Sequence, residues 1–279
     1  MKKIGTIIVT YNSEKYIDRC VESILAQTYP GFICYIVDNS SLSSEYLDKF
    51  ASTGIKVIKL SQNAGFCKAN NVAFSEIKDL VDFVVFLNPD AFLPKDFFKQ
   101  CTDYFNSNNN KKTGIISCSL FGFNIDRNEP SGLIDSLGLY QTPYGKWFDK
   151  MQGEKIEHFK PDGIKKVPAI CGALMFCSID ALKDVLINRD EVFDNKFYMY
   201  KEDIDLSLRI RKKKWDLIFF EDMVAYHCRG WNKDRQKVPY KFRYLSALNE
   251  MRLYLRDGSI FFIFSFLKLM YVKFIEGKK

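Results

Sequence analysis

The sequence predicts an α/β protein with a mostly parallel central sheet that is flanked by helices. Two observations support this fold class. Apolar runs of strand length alternate with helix-period patterns through the first half of the chain. These runs are also nearly continuous, as in VDFVVFL at residues 81–87, and such strands are typical of a sheet whose two faces are both covered.

The first half is predicted to hold four strands and three helices. The first helix is indicated by Ile17, Val21 and Ile24, which recur on one helical face. The predicted strands cover residues 4–9, 32–37, 55–60 and 81–87. The predicted helices cover residues 14–27, a short segment that ends near Gly54, and residues 65–77.

The second half is less regular. Residues 121–166 are rich in Gly, Pro and Asn, which predicts an extended insertion or hairpin over the ligand-binding edge of the sheet. A helix over 97–105 and a strand over 114–119 precede it. It is followed by an apolar run over 167–177, a helix over 204–213, two short strands over 215–220 and 223–226, and helices over the last fifty residues.

Length and composition favour one large domain, or one domain with an appendage. Of 279 residues, 47% are hydrophobic and 27% are charged, which is enough apolar material for a full core. The eight cysteines form no CxxC pair, so neither a zinc knuckle nor a redox motif is indicated. No signal-peptide pattern precedes the first strand. We therefore expect buried, reduced thiols in a cytoplasmic protein.

The basic charge lies in the C-terminal segment. The net charge is +7, and residues 229–279 hold 12 Lys/Arg against 4 Asp/Glu, so the rest of the chain sums to −1. Residues 260–275 are very apolar, but these 16 residues are fewer than the roughly 20 that a spanning helix needs. Two alternatives remain for 241–279: helices that pack on the core or on a homodimer partner, or an interfacial helix on an anionic membrane.

Polar residues follow each of the four predicted strands of the first half. Ligands of α/β sheets bind beyond the carboxyl ends of the strands, so these residues are binding-site candidates. Asp38 fits either an Asx turn or an acceptor of hydrogen bonds from a nucleobase or ribose. Asp90 fits either a turn or a functional carboxylate. The four ends are Thr10-Tyr11-Asn12, Asp38-Asn39, Ser61-Gln62-Asn63 and Asn88-Pro89-Asp90.

A second acidic group is predicted at the start of the helix near residue 204. Glu202, Asp203 and Asp205 can simply cap this helix and complement its dipole. Bulky apolar neighbours also predict partial burial, which raises the pKa of a carboxyl group and suits a general base. His227, one of two histidines, fits either a structural role or a cation ligand beside Asp90.

Five segments, in order, resemble the inverting family 2 glycosyltransferases, and most closely the bacterial branch that includes rhamnosyltransferases and galactofuranosyltransferases. The resemblance covers residues 4–231, roughly four-fifths of the chain. Each segment alone is a weak signal, but all five in order are a strong one. They are Ile7-Ile8-Val9-Thr10-Tyr11-Asn12, Val37-Asp38-Asn39-Ser40-Ser41, Asn63-Ala64-Gly65-Phe66 with Asn70-Asn71, Leu87-Asn88-Pro89-Asp90-Ala91, and Met199-Tyr200-Lys201-Glu202-Asp203-Ile204-Asp205-Leu206 with His227.

The resemblance implies a GT-A catalytic domain over residues 1–231 and a basic amphipathic helical region over 232–279. Residues 1–119 would form the nucleotide-binding half and residues 120–231 the acceptor-binding half. It also implies which residues bind a nucleotide-sugar donor. These are Thr10, Tyr11, Asn12, Asp38, Asn39, Asn63, Gly65, Asn70, Asn88 and Asp90.

The resemblance further implies the catalytic groups. Asp203 would be the catalytic base, with Glu202 beside it, and Asp90 and His227 would hold Mn²⁺ or Mg²⁺. Asn88 stands where the family's Asp-x-Asp motif has its first acid. We therefore expect Asp90 to be the main carboxylate on the metal, and metal binding to be weak without bound donor.

The reaction implied is inverting transfer of a sugar, best matched by rhamnose from dTDP-rhamnose, to a glycan or lipid-linked glycan in bacterial surface polysaccharide synthesis. The alternatives are galactosyl, galactofuranosyl or glucosyl transfer from a UDP-sugar, and a non-enzymatic membrane-associated nucleotide-sugar-binding protein. The expected location is the cytoplasm, at the inner face of the plasma membrane.

Two rival classes fit the residues less well. A nucleotidyltransferase usually carries a Gly-rich phosphate loop after its first strand, and Thr10-Tyr11-Asn12-Ser13-Glu14 has no glycine. A nucleic-acid-binding module would explain the basic C-terminal segment. It would not explain the strand-end acids, which repel phosphate unless a metal intervenes. We therefore expect no nucleic-acid partner.

Overall fold

A computed structural model describes residues 1–107, 112–228 and 238–278. Within these residues the chain forms twelve strands and seven α-helices. The strands are β1 Ile4–Thr10, β2 Phe32–Asp38, β3 Lys56–Lys59, β4 Phe83–Leu87, β5 Ala91–Phe92, β6 Thr113–Asn124, β7 Glu129–Ser136, β8 Leu139–Gln141, β9 Trp147–Asp149, β10 Ile164–Lys166, β11 Leu174–Ser178 and β12 Asp216–His227. The helices are α1 Ile17–Leu25, α2 Phe66–Ile77, α3 Phe97–Ser107, α4 Ile179–Lys183, α5 Glu202–Lys212, α6 Tyr240–Asp257 and α7 Phe262–Phe274.

Ten strands form one mixed sheet in the order β10-β12-β6-β11-β4-β1-β2-β3, with β5 added to β12 and β7 to β6. Strands β4, β1, β2 and β3 are parallel, as are β6 and β12. Strand β11 runs antiparallel between β4 and β6 and joins these two parallel groups. The predicted α/β class, with a mostly parallel sheet flanked by helices and a helical C-terminal region, is confirmed, and the fold is GT-A.

The buried strands explain why the sequence folds this way. All seven residues of β1 and all five of β4 are buried, as continuous apolar strands between two helical layers should be. Helix α1 turns Ile17, Val21 and Ile24 into this core. All eight cysteines are free, and seven of them are buried.

The short helix predicted before Gly54 is present as a 3₁₀ helix, Glu45–Thr53. Two other predicted elements differ from the structure. The two short strands predicted over 215–226 are one strand, β12, with an irregularity between Phe220 and Val224. The polar pair at 221–222 resembles a turn in sequence, but Glu221 is buried and accepts a 2.9 Å hydrogen bond from the Asp162 amide, so the strand continues through it.

The segment predicted as an insertion is only partly separate from the sheet. Strand β6 extends into it as far as Asn124, because Phe121 and Phe123 are buried. Strand β7 returns along β6, and β8 and β9 form a separate two-stranded hairpin. Strand β10 then joins the far edge of the main sheet.

Helix α6 is part of the main core, and α7 packs on α6. Leu253 and Tyr254 of α6 are buried in the central core, whereas Ala247, Leu269 and Val272 form a small second cluster between the two helices. No helix within residues 1–107, 112–228 and 238–278 is long and apolar enough to cross a membrane. The boundary expected at 231/232 lies outside the described residues, so the domain division stays a prediction.

A buried ion-pair network ties α5 to α6. Asp205 on α5 is almost fully buried, accepts a 2.8 Å hydrogen bond from the Arg209 Nε, and also pairs with Arg256 of α6. Arg256 pairs in addition with Asp194. A partly exposed ion pair, Lys212–Asp257, joins the same two helices at 2.5 Å, with the lysine side chain 57% exposed.

We expect Asp205→Ala to lower the free energy of unfolding by about 3 kcal/mol, because it leaves two guanidinium groups without their shared buried carboxylate. Lys212→Ala is the matched control, since it removes the exposed cation of an ion pair between the same helices and should cost about 0–1 kcal/mol. Urea denaturation followed by circular dichroism measures both values. Equal losses for the two variants would contradict this account.

Candidate active site

The loop after β4 brings Asp90 next to His227. The backbone amide of Asn88 donates to the Ala173 carbonyl at 3.0 Å, and the backbone amide of Cys228 donates to the Asp90 carbonyl at 2.9 Å. Strand β5 then pairs with the end of β12, so that Ala91 lies opposite His227. Two segments far apart in the sequence are thereby held together by backbone hydrogen bonds.

His227 lies between two carboxylates. Its Nε2 is 3.2 Å from Asp90 Oδ1, and its Nδ1 is 2.8 Å from Asp135 Oδ2. The side chains of His227 and Asp135 are only 3% and 2% exposed, whereas that of Asp90 is 24% exposed. Asn88 lies nearby, with its Nδ2 3.5 Å from His227 Nε2. The Nδ1 side of the imidazole is therefore buried against Asp135, and its Nε2 side is turned to Asp90.

The charges in this group shift the pKa values of its members. Burial disfavours the charged imidazole, but Asp90 and Asp135 outweigh this effect and raise the pKa of His227 to about 9. Burial likewise disfavours the Asp90 carboxylate, but the adjacent His227 outweighs it and lowers the pKa of Asp90. Asp90 is therefore ionised at neutral pH.

Asp90 and His227 fit the donor set of a divalent cation. Two neighbouring ligands of an octahedral cation with bonds of roughly 2.1 Å lie about 3.0 Å apart, close to the 3.2 Å between Asp90 Oδ1 and His227 Nε2. Within the described ranges, no group of three or more His, Cys, Asp or Glu side chains is arranged to hold a metal ion. These two residues would thus need ligands from a bound molecule or water to complete a coordination shell.

A strained turn carries the acidic residues to the same place. Tyr198, Tyr200 and Lys201 all have positive φ, between 62° and 71°, which is unfavourable for residues with a side chain. The side-chain amide of Asn249, which is fully buried on α6, donates to the carbonyls of Phe197, Met199 and Tyr200 at 2.7, 2.8 and 3.0 Å. Helix α6 thus holds the turn from which α5 starts.

Glu202 and Asp203 open α5 but have different environments. Asp203 is partly exposed, and its Oδ2 accepts a 3.0 Å hydrogen bond from the Gly172 amide. Glu202 is buried, and its Oε2 has no hydrogen-bond partner in the described part of the chain. Burial, together with the charge of Asp203, raises the pKa of Glu202 to about 8. The surroundings of Glu202 therefore favour its neutral form.

The ends of β1 and β2 form a second polar group around Asp38. Asp38 is buried, and its carboxylate accepts from the Ser41 hydroxyl and, at 3.3 Å, from the Ser41 amide. The Thr10 hydroxyl lies 3.5 Å from it. Asn12 joins the same loop through its Oδ1, which accepts from the Leu42 amide at 2.8 Å, while Tyr11 is half-exposed. A carboxylate offers about four acceptor positions, so Asp38 can still accept a bond from a ligand.

Asn39, Asn63 and Gly65 link this group to the strained turn. The side-chain amide of Asn39 donates from Nδ2 to Asn63 Oδ1 at 3.0 Å, and the same oxygen accepts from the Tyr198 hydroxyl at 2.7 Å. Gly65 has φ of 87°, and a Cβ there would overlap the Tyr198 ring. Asn70 lies apart from these contacts, since it is buried within α2 and donates to the Phe66 carbonyl at 2.9 Å.

One cleft of about 320 Å³ is lined by the residues expected to act in catalysis and cation binding. Asn88, Asp90, His227, Glu202 and Asp203 all line it. Residues 10–12, 38–39, 63 and 65 lie at the neighbouring strand ends and do not line this cleft. The structure thus brings the expected base, the expected cation ligands and Asn88 together. The other residues expected to bind the nucleotide form a separate, adjoining group, apart from Asn70, which is buried within α2.

Two residues of this site were not identified as functional from the sequence. Asp135 belongs to the segment assigned only as an insertion, and its one hint is that it is a lone acid within the apolar run Leu133-Ile134-Asp135-Ser136-Leu137. Asn249 lies in the C-terminal region, where only charge and apolar content had been considered. Both residues act through contacts that span 92 and about 50 positions of sequence.

Comparisons with known proteins match this chain to one family model and to several curated proteins. Residues 6–186 match the model of glycosyl transferase family 2. The chain is 28% identical over 156 residues to the glycosyltransferase GlyA of Streptococcus pneumoniae, a match that covers 53% of this chain and 20% of GlyA. It is 31% identical over 110 residues to the poly(ribitol-phosphate) beta-N-acetylglucosaminyltransferase TarS of Staphylococcus aureus, covering 37% of this chain and 19% of TarS.

Solved structures show the same fold. A fragment of S. aureus TarS, residues 1–349 in complex with UDP, superposes with a TM-score of 0.56 at 20% identity over 89% of this chain and 65% of that one. The mannosyltransferase PcManGT of Pyrobaculum calidifontis, in complex with GDP-Man and Mn²⁺, superposes with a TM-score of 0.62 at 16% identity over 98% of this chain and 70% of that one. The chain spans about a fifth of the length of the two curated relatives named above.

Proposed function

The chain belongs to glycosyl transferase family 2, and on that premise we propose that it transfers a sugar from a nucleoside diphosphate sugar to an acceptor hydroxyl, with inversion at the anomeric carbon. One observation carries this proposal. A single cleft is lined both by a partly exposed carboxylate, Asp203, and by the pair Asp90 and His227, which suits a cation. A base and a site for a charged leaving group are the two things that such a transfer needs.

Asp203 is the proposed base. Its Oδ2 is held by the Gly172 amide, and its Oδ1 accepts from the Ile204 amide at 2.8 Å, so the carboxylate keeps one orientation toward the cleft. It takes the proton of the acceptor hydroxyl while that oxygen attacks the anomeric carbon, and the bond from this carbon to the diphosphate breaks. Because attack and departure are in line, the configuration inverts. The buried site of Glu202 favours the neutral acid, which limits the negative charge beside Asp203.

Asp90 and His227 are the proposed ligands of Mn²⁺ or Mg²⁺. When bound, such a cation offsets the negative charge of the departing nucleoside diphosphate. The complex of PcManGT with Mn²⁺ and a nucleotide sugar supports this assignment. Asn88 occupies the position of a further acid, so Asp90 and His227 are the two ligands proposed from the described residues, and the donor diphosphate would contribute others.

The proposed donor is a UDP-sugar, with dTDP-rhamnose as the second candidate. The TarS complex with UDP favours uridine, whereas the resemblance to rhamnosyltransferases favours dTDP. Uracil and thymine present the same imide edge to Asp38, and the residues proposed to surround the nucleotide are Thr10, Tyr11, Asn12, Asn39, Asn63 and Gly65. The proposed acceptor is a glycan or lipid-linked glycan of a bacterial surface polysaccharide, supported by the name of TarS.

The donor proposal is tested by calorimetric titration of UDP, dTDP, CDP and GDP in the presence of Mn²⁺, followed by a screen of their sugar derivatives for nucleoside diphosphate release. We expect UDP or dTDP to bind at least about tenfold more tightly than CDP, because cytosine has no proton on N3 to donate to Asp38, and a hydrogen bond to such a charged acceptor contributes about 1.5–3 kcal/mol. EDTA should abolish turnover. If none of these nucleotides or their sugars binds, the proposed function is wrong.

The base assignment predicts a large and specific loss in Asp203→Asn. We expect the turnover number to fall about 10²–10⁴-fold while the affinity for UDP stays within about threefold, because the amide cannot take a proton. Glu202→Gln is the matched control: it is nearly isosteric with the protonated acid and should lose much less activity. Steady-state kinetics and nucleotide titration of the three proteins measure both quantities. Wild-type turnover in Asp203→Asn would exclude Asp203 as the base.

We further infer that α7 lies on an anionic bilayer. Its inner face is covered by α6, but apolar side chains along its outer face are 42–73% exposed. Lys273 and Lys241 are exposed in the same region, which suits anionic lipid. The exposed apolar residues of this face are Ile260, Ile263, Phe264, Phe266, Leu267, Tyr271, Phe274 and Ile275.

The membrane proposal predicts that the protein sediments with vesicles that contain phosphatidylglycerol. Phe264→Glu with Leu267→Glu should weaken this binding at least about tenfold, since each buried apolar side chain contributes about 1.5–3 kcal/mol. Leu42→Glu is the control, because Leu42 is 93% exposed in the loop after β2 and should not affect binding. If the wild-type protein ignores vesicles and forms dimers that the α7 substitutions disrupt, α7 is a dimer surface instead.

A further inference from the structure

We propose that Asp135 is a positioning residue that presents Nε2 of His227 to the bound cation. The inference rests on the proposed function, because it assumes that His227 is a metal ligand. Asp135 does not line the cleft, so its effect must pass through the imidazole ring.

The contact is well defined and shielded from water. Asp135 Oδ2 lies 2.8 Å from Nδ1 of His227, and both side chains are nearly fully buried. No solvent competes for this hydrogen bond, which is therefore stronger than the same bond on the surface. Asp135 lies on β7 and His227 on β12. Both strands pair with β6 and not with each other, so the side-chain contact spans the intervening strand β6.

This contact determines which nitrogen of the ring can bind a cation. The carboxylate oxygen of Asp135 accepts this hydrogen bond, so Nδ1 carries a proton. The other nitrogen, Nε2, is the one that lies 3.2 Å from Asp90 Oδ1 at the cleft. Imidazole binds a metal through its unprotonated nitrogen, and a carboxylate on the opposite nitrogen fixes the ring and raises its basicity. Nε2 therefore gives up its proton when a cation binds, and Asp135 keeps the remaining proton on Nδ1 and the ring in place.

Metal affinity is the direct test. We expect Asp135→Ala to weaken Mn²⁺ binding about 10–100-fold, measured by electron paramagnetic resonance titration in the presence of UDP. Asp135→Asn should lose less, because its amide oxygen can still accept from Nδ1. Ser136→Ala is the matched control: Ser136 is the next residue on β7, is buried, and its hydroxyl has no hydrogen-bond partner among the described residues.

A second measurement separates positioning from a merely structural contact. The chain has only two histidines, and the other, His158, is more than half exposed and serves as an internal reference. With Mg²⁺ and UDP bound, ¹⁵N spectra of the wild-type protein should show His227 protonated at Nδ1. In Asp135→Ala a substantial fraction should be protonated at Nε2 instead, and Asp135→Asn should restore most of the wild-type pattern. A contact that only stabilises the fold would change the unfolding temperature and leave this pattern unchanged.

The outcomes distinguish this inference from the function on which it rests. If the wild-type protein binds Mn²⁺ with UDP, and Asp135→Ala binds it equally well with the same ring tautomer, Asp135 is not a positioning residue and the proposed function stands. If the wild-type protein binds nucleotide but no divalent cation, the metal role of His227 is wrong, and this inference falls with it.

Discussion

The strained turn that precedes α5 is the constraint on which the site depends. Three residues with positive φ, Tyr198, Tyr200 and Lys201, lie directly before Glu202 and Asp203. Such a backbone persists only where its surroundings determine it. Asn249 supplies one support through three carbonyl contacts. The Tyr198 side chain supplies the other, because its hydroxyl bonds to Asn63 and its ring occupies the space above Gly65.

This turn also joins the two halves of the molecule. The loop after β3 holds Tyr198, and the Cys67 amide at the start of α2 donates to the Tyr198 carbonyl at 3.1 Å. The loop around Asn63 is therefore in direct contact with the turn from which α5 and Asp203 start. If this loop contacts the donor as proposed, binding of the nucleotide and placement of the base are mechanically linked. The lack of a side chain at Gly65 is what allows the two loops to approach so closely.

Much of the fold could be predicted from the sequence because its signals are local. The continuous apolar strands and the polar strand ends indicated an α/β sheet with a site at one edge, and Asp90, His227 and Asp203 do line one cleft. The features that were missed depend on long-range contacts. Asp135 can be recognised as a partner of His227 only when β7 is known to return along β6. Likewise, the polar pair at 221–222 resembles a turn until the burial of Glu221 is seen.

Helix α6 lies between the cleft and α7, the helix proposed to contact the membrane. Ser246 lines the cleft, whereas the next residue, Ala247, packs against α7. The cleft and the outer apolar face are therefore separated by little more than α6 and α7, each about 10 Å across with its side chains. On a bilayer, this thickness would place Asp203 within about 20 Å of the lipid surface. An acceptor hydroxyl carried by a lipid could reach the base there without leaving the membrane, so the helices that hold the strained turn would also set the distance to the acceptor.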